Sequence, residues 1–288
     1  MSTINTELNK KLLEGLSLGH KSAYETKYNP KLLQTVPRSL NRDTLTIKTP
    51  FYGYDLWHMY ELSWLNAKGK PEVAVGELVI PAESPFIVES KSLKLYLNSF
   101  NQTNFASIDE VQATIEKDLS AVYKCPIKAE IWPLHSCEAQ KHFALTNNIS
   151  DAICLDDLDI EVNEYTIDPA LLLGDSPLST TIVEETLYTN LLKSNCLVTS
   201  QPDWGTAVIR YKGPAIKHEN LLKYIVSMRG HNEFHEHCVE RIFTDIANTF
   251  SPEDLEVRAF YTRRGGLDIN PIRAMRTPER IAFRLIRQ

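Results

Sequence analysis

Twice along this chain a run of strand-like segments precedes an amphipathic helical segment, and that repeated order limits the fold more than any single motif. In the first half, Tyr60 to Pro81 contains WLNAKGKPEVAVGELVIP, two short apolar stretches around a Gly/Pro turn, which predicts a hairpin. Ser107-Ile108-Asp109-Glu110 has the Ser-x-x-Glu form of a capping box, and Val111, Ile115, Leu119 and Val122 follow at helical spacing. Residues 127–134, IKAEIWPL, return to a strand pattern with Pro133 near its end. In the second half TTIVEETLYTN (180–190) and TAVIRYKG (206–213) read as strands, LLKYIVSM (221–228) and EFHEHCVERIFTDIANTF (233–250) as helices, and LEVRAFYT (255–262) as a strand. Cys238, Ile242 and Ile246, with Val239, Phe243 and Phe250 beside them, give the longer helix a broad apolar stripe suited to a sheet. Strands in runs with helices on one face indicate an α+β fold, not strict βα alternation.

The chain has 288 residues, more than one core of about 100–150 residues usually organises. The expected division is a module at 1–150, an acidic connector at 151–179 ending in Gly-Asp-Ser-Pro, and a second module at 180–288. The connector's apolar residues predict that it packs and does not float. No apolar run reaches the ~18–20 residues that span a bilayer, so a soluble protein without membrane contact is expected. The polar N-terminal stretch MSTINTELNKKLLEGLSLGHKS lacks the layout of a secretory signal. Cys125, Cys137, Cys154, Cys196 and Cys238 are odd in number and form no CxxC pair, which suits reduced thiols in the cytoplasm. A net charge of −6 disfavours a phosphate-neutralising face, so direct nucleic-acid binding is not expected.

Four stretches carry chemistry. Cys196 stands ahead of Gln201-Pro202-Asp203-Trp204-Gly205, read as a turn that must fold back for Cys196 to meet Asp203. Taken alone, Cys196 reads first as a small buried hydrophobe and only second as a nucleophile. Gly230-His231-Asn232-Glu233-Phe234-His235-Glu236-His237-Cys238 is dense in imidazoles; if helical, His231 and His235 share a face as a zinc pair would, while a solvated helix face remains the plainer reading. Glu89-Ser90-Lys91-Ser92-Leu93-Lys94 fits an edge strand or a helix start. Tyr261-Thr262-Arg263-Arg264-Gly265-Gly266 sets guanidinium groups beside glycines that let a ligand approach backbone. No GxGxxG follows a strand, so a nicotinamide cofactor would not sit in a Rossmann domain.

Together these stretches resemble the NADPH-dependent 7-cyano-7-deazaguanine reductases, the QueF family of the queuosine pathway. ESKSLKLY is similar to the family signature, SNCLVTSQPDWG to its catalytic segment, and HNEFHEHCVERIF with YTRRGGLDINP to its substrate and cofactor segments; VPRSLNR, ELSWLNAKG and NSFNQT also resemble the long, two-module form. The resemblance implies two tandem tunnelling-fold (T-fold) modules, a site between them, a homodimer, and reduction of a nitrile to an amine through a thioimide on Cys196. It implies Asp203 and His235 as proton carriers, with no metal. Val88, Glu89, Ser90, Phe234, His235 and Glu236 would bind the deazapurine, and Ser90, Lys91, Arg264 and Gly265 would bind NADPH, with Lys94 or Arg263 adding charge. A zinc-dependent purine hydrolase and a tRNA-handling partner protein are the rival expectations.

Overall fold

The computed structural model describes residues 25–146, 149, 151–197, 199–281 and 283–288. The N-terminal stretch read for a secretory signal and Val198 of the cysteine segment lie outside the described residues. The protein is mixed α+β and separates into two compact units. Unit 1 comprises Met1–Asp43, Leu56–Ala144 and Arg263–Asp268; unit 2 comprises Thr44–Asp55, Leu145–Thr262 and Ile269–Gln288.

In chain order the first strands are β1 (Thr35–Pro37), β2 (Tyr52–Leu65), β3 (Pro71–Pro81), β4 (Phe86–Val88) and β5 (Lys128–Pro133), with helices α1 (Ser39–Arg42), α2 (Ser90–Asn98), α3 (Ile108–Tyr123) and α4 (Cys137–His142). β3 lies between β2 and β5, and β1 pairs antiparallel with β4. The expected hairpin is present, its turn tightened by the Gly69 N–H donating to the Asn66 carbonyl at 2.9 Å. α3 starts as expected: the Ser107 hydroxyl accepts the Glu110 N–H, and Val111, Ile115 and Leu119 are buried. The Glu110 carboxylate reaches back to the Ala106 N–H at 2.6 Å instead of the Ser107 N–H, one residue off the usual box.

The later elements are β6 (Leu145–Thr146), β7 (Ala152–Cys154), β8 (Ile182–Asn195), β9 (Pro202–Pro214), β10 (Asp254–Tyr261), β11 (Leu267–Ala274) and β12 (Arg284–Leu285), with α5 (His218–Ser227) and α6 (His235–Phe250). The strand order is β11-β10-β9-β8-β7, antiparallel except for β7 beside β8. The apolar stripe of α6 packs with α5 residues on Leu187, Ala207, Ile209 and Val257 of the strands. Leu155 and Leu172 from the connector are buried in that same cluster, so the segment does pack. Its Asp156 also accepts the Thr189 hydroxyl at 2.6 Å and the Asn190 N–H at 3.0 Å, where β8 bulges.

Two expectations are corrected. Pro202 to Gly205 are not a turn: they open β9, with Asn195 facing Pro202 and Ser194 facing Asp203. Proline suits the first residue of a strand, and the turn falls earlier, at Leu197 and Thr199. His231 is not helical: its φ of −91° and ψ of 138° are extended and α6 begins only at His235, so His231 and His235 do not stack one turn apart.

The two units repeat each other internally. β2 and β8 each have 14 residues, and α3 and α6 each have 16 and end on a left-handed residue, Lys124 and Ser251. Leu65 exchanges backbone hydrogen bonds with Thr103 and Phe105, and Asn195 does the same with His231 and Glu233. The Tyr96 hydroxyl donates to Asp118 at 2.7 Å, and that of Tyr224 to Asp245 at 2.6 Å.

Candidate active site

Cys196 follows directly on β8. Its N–H donates to the Gln201 carbonyl at 2.8 Å and its carbonyl accepts the Ser200 N–H at 3.0 Å, so two residues oppose one in a β-bulge. Ser200 holds the left-handed conformation there, at φ 55°. The bulge fixes the cysteine backbone at the hairpin end. The thiol residue is 6% exposed.

One residue back, Asn195 is bolted to the segment that leads into α6: its N–H donates to the His231 carbonyl at 2.8 Å and its carbonyl accepts the Glu233 N–H at 3.0 Å. That segment delivers Phe234 as the residue before the helix, then His235 and Glu236 as its first two residues. The buried carboxylate of Asp203 lies with its Oδ2 3.4 Å from His235 Nε2. An acceptor-donor pair thus sits in the same unit as the thiol, with Asp203 on β9, the strand paired to β8, and His235 at the start of α6.

Tyr261, which the sequence reading passed over, lies under this pair. Its ring centroid is 4.0 Å from that of His235, and its hydroxyl faces Cys238 and Ser194. Burial first, then the neighbouring Cys238 and Asp203, push the phenol far above its ordinary range. Gly205 makes the room: a Cβ there would stand 3.2 Å from the tyrosine ring. The Cys238 thiol is pushed up to about 12 by burial and by Glu233, which disfavours its thiolate. Glu233 itself takes a two-pronged grip from Arg241, at 2.8 and 3.2 Å, and lies 3.4 Å from His231. Neither partner was legible as such in the histidine-rich run. Among the described residues no group of three or more His, Cys, Asp or Glu side chains is arranged to hold a metal ion. A cavity of about 550 Å³ in unit 2, lined by Arg210, Glu256, Arg258 and Phe260 among others, touches none of these residues.

The remaining expected site residues lie in unit 1. Glu89 is the cap of α2: its carboxylate accepts the N–H of Lys91 at 2.7 Å and of Ser92 at 2.8 Å. The signature is therefore a helix start and not an edge strand. Burial raises the Glu89 pKa even though those N–H groups, the Ser90 hydroxyl and Lys91 pull it down. Val88 is buried behind it, while Ser90 and Lys91 are half-buried. Arg264 and Gly265 occupy the tight turn before β11, where Gly265 and Gly266 have φ of 60° and 77°. Lys94 of α2 reaches that turn, with its Nζ 3.1 Å from where a Gly265 Cβ would stand, and pairs with Glu61 at 3.4 Å. No helix of the described residues is long and apolar enough to cross a membrane.

Two family models match this chain: "Nitrile reductase, 7-cyano-7-deazaguanine-reductase N-term" over residues 24–131 and "QueF-like protein" over residues 202–280. Among solved structures, the crystal structure of the archaeosine synthase QueF-Like in the apo form matches at 17% identity, over 35% of this chain and 99% of that one, with a TM-score of 0.30. The second family match begins at the strand carrying Asp203 and takes in His235 and Glu236, and the first includes Glu89 and α2. With the two family modules matched in tandem over more than half of its length, the chain belongs to the QueF family of nitrile reductases of the queuosine pathway.

Proposed function

We propose that this protein reduces the nitrile of 7-cyano-7-deazaguanine to the primary amine of 7-aminomethyl-7-deazaguanine, consuming two NADPH and two protons. The observation that carries the reading is the Asp203–His235 pair at 3.4 Å beside the hairpin end that bears Cys196. Nitriles resist direct hydride attack, and covalent capture divides a hard step into easier ones. The Cys196 sulfur bonds to the nitrile carbon as one C≡N π bond breaks. Asp203 takes the thiol proton and passes it to the nitrile nitrogen, giving a neutral thioimide. An ionised Asp203 would oppose thiolate formation by like-charge repulsion, so it serves by moving the proton and not by lowering the thiol pKa. After the first hydride reaches carbon the C–S bond breaks, the thiolate leaves an imine and regains a proton, and a second hydride at carbon with a proton from His235 at nitrogen gives the amine.

Glu89 and Glu236 would accept from the N–H and NH2 edge of the deazaguanine, with Val88 and Ser90 beside Glu89 and Phe234 packing on the base. An analogue lacking those donors would desolvate both carboxylates without returning a hydrogen bond, which would select against it. The turn carrying Arg264 and Gly265 fits a dinucleotide phosphate: two glycines leave backbone open, Arg263 and Arg264 are exposed, and Lys94 is adjacent. Ser90 and Lys91 would complete that site, and NADPH bound there would supply hydride to the substrate carbon. On this reading the modules are tandem T-folds and the protein is a cytoplasmic homodimer that handles a free base and not a nucleic acid.

NADPH oxidation that depends on 7-cyano-7-deazaguanine tests the activity. Cys196→Ala should abolish both turnover and the ultraviolet-absorbing adduct formed with the nitrile alone, and retained turnover would remove the nucleophile. Asp203→Asn should form the adduct slowly in a folded protein; normal rates would contradict proton exchange.

A further inference from the structure

Unit 1 buries a chain of titratable side chains that the chemistry above leaves unused. His58 on β2 places Nδ1 2.6 Å from Asp268 Oδ1 and Nε2 3.3 Å from Glu77 Oε1 of β3. Glu77 is met from the other side by His142 Nδ1 of α4, 3.2 Å from each oxygen. The second oxygen of Asp268 accepts a short hydrogen bond from the Tyr60 hydroxyl. Phe143 packs on both rings, with centroids 5.1 Å from His58 and 5.2 Å from Tyr60. Burying two carboxylates in such a place is costly, and apolar side chains of similar volume would serve stability as well. What the cluster adds is fixed geometry.

The geometry it fixes is that of the Arg263–Gly266 turn, two residues upstream of Asp268. Tyr60 holds this turn by three attachments: its hydroxyl to Asp268, its N–H to the Gly266 carbonyl at 2.9 Å, and its ring beneath the Arg263 guanidinium at 4.3 Å. Arg264 and Leu267 close the turn on itself through N–H···O bonds of 2.8 and 3.1 Å. Glu61 walls its outer side, since a Cβ on Gly266 would meet that carboxyl carbon at 2.4 Å. We propose that Asp268, clamped between His58 and Tyr60, is a positioning residue that holds the Arg263–Gly266 turn in the shape that receives the phosphates of NADPH. The proposal rests on the assignment of Arg264 and Gly265 to NADPH. A turn already shaped for its ligand spends no binding energy on ordering itself, and that saving is what the clamp supplies.

Asp268→Asn and the milder Tyr60→Phe, which keeps the ring and removes only the hydroxyl, test this in the full chain. Two readouts are separable. NADPH binding without nitrile is followed by quenching of protein fluorescence, and thioimide absorbance after adding nitrile without NADPH reports the fold and Cys196 independently of the cofactor. Both variants should bind NADPH on the order of tenfold more weakly, with KM for NADPH rising in parallel, while adduct formation stays at the wild-type rate. A dissociation constant within about twofold of wild type in both variants overturns the clamp, because that gap is under half a kcal/mol. So does a parallel fall of binding and adduct in Tyr60→Phe, which is the signature of general destabilisation. A wild-type chain that forms the adduct yet does not bind NADPH removes the cofactor assignment and this proposal with it. A chain that binds NADPH tightly, loses that binding in the variants and never forms the adduct sinks the nitrile reading alone and leaves the clamp standing.

Discussion

Replacing Arg241 by methionine isolates the ion pair that locks the entry to α6. Glu233 is 3% exposed and has two near-parallel contacts from Arg241, at 2.8 and 3.2 Å, with His231 Nε2 3.4 Å away. Burial pushes its carboxyl up, but the hydrogen bonds from His231 and Arg241 outweigh that and hold it below the usual carboxylate range. Arg241→Met leaves a buried charge with only an imidazole beside it, a loss of about 3–5 kcal/mol. At roughly 2–4 °C per kcal/mol for chains of comparable size, the melting temperature should fall by about 6–20 °C. Glu233→Gln combined with Arg241→Met removes the stranded charge and should recover most of the loss. The pH dependence has a definite sign: the folded pKa of Glu233 is depressed, so its contribution is present above the ordinary value of 4.5 and disappears as pH falls below it. Thermal and urea unfolding of the wild type and the two variants, read by circular dichroism between pH 3 and pH 8, measures all of this. If Arg241→Met costs less than about 1 kcal/mol, or the double variant is no more stable than the single, the pair is not the lock described.

Tyr261→Leu should lower kcat on the order of tenfold or more and alter the imidazole signals of His235 in NMR spectra, whereas Tyr261→Phe, which keeps the ring, should resemble wild type. Equal losses in the two variants would shift the role from the ring to the hydroxyl. His58 gives a second pH limb, of opposite sign. Burial works against its charge, but Asp268 and Glu77 prevail and raise its pKa from 6.5 to about 9, so its contribution is complete below pH 6.5 and lost as pH rises through about 9. A shift of that size corresponds to something on the order of 3 kcal/mol. Urea unfolding at pH 6 and pH 10 should show that difference in wild type and not in His58→Gln; the same slope in both would remove His58 as its source.

The elements legible in the sequence are those with strong local signals. α3 could be placed because Ser107 and the 3–4 spacing from Val111 act within a few residues, and the hairpin because Gly69 and Pro71 punctuate two apolar strands. The Pro202–Gly205 error has an equally local cause: proline, aspartate and glycine together signal a turn, whereas here the long-range pairing of β9 with β8 and β10 decides. Of the site, the residue types were readable and the partnerships were not. Nothing in HNEFHEH says that His231 and Arg241 would share Glu233, and Tyr261 is silent until β10 brings it beneath His235. Asp268 lies 210 positions from His58, so no window of sequence could join them.

The internal repeat shows what distinguishes a reactive site from its scaffold. At the end of the unit 1 hairpin Asn66 donates its N–H to the Lys70 carbonyl and accepts the Gly69 N–H, each at 2.9 Å, as Cys196 does with Gln201 and Ser200. Two residues past Lys70 stands Glu72, whose carboxylate accepts the Asn66 side-chain amide at 2.9 Å, the place that Asp203 holds two residues past Gln201. One unit therefore presents cysteine and aspartate, the other asparagine and glutamate, on the same backbone. The segments bolted to each hairpin differ further: three and four residues past the bridging Asn232 come His235 and Glu236, while past Asn104 come Ser107 and Ile108. If a thiol beside a carboxylate on this bulge were enough, Asn66→Cys introduced into Cys196→Ala would restore a nitrile adduct. His235 and Glu236 have only Ser107 and Ile108 as counterparts there, so the double variant should react with general thiol reagents and give no thioimide absorbance. An adduct at position 66 would show that the turn and its acid suffice and that His235 and Glu236 are not needed to capture the nitrile.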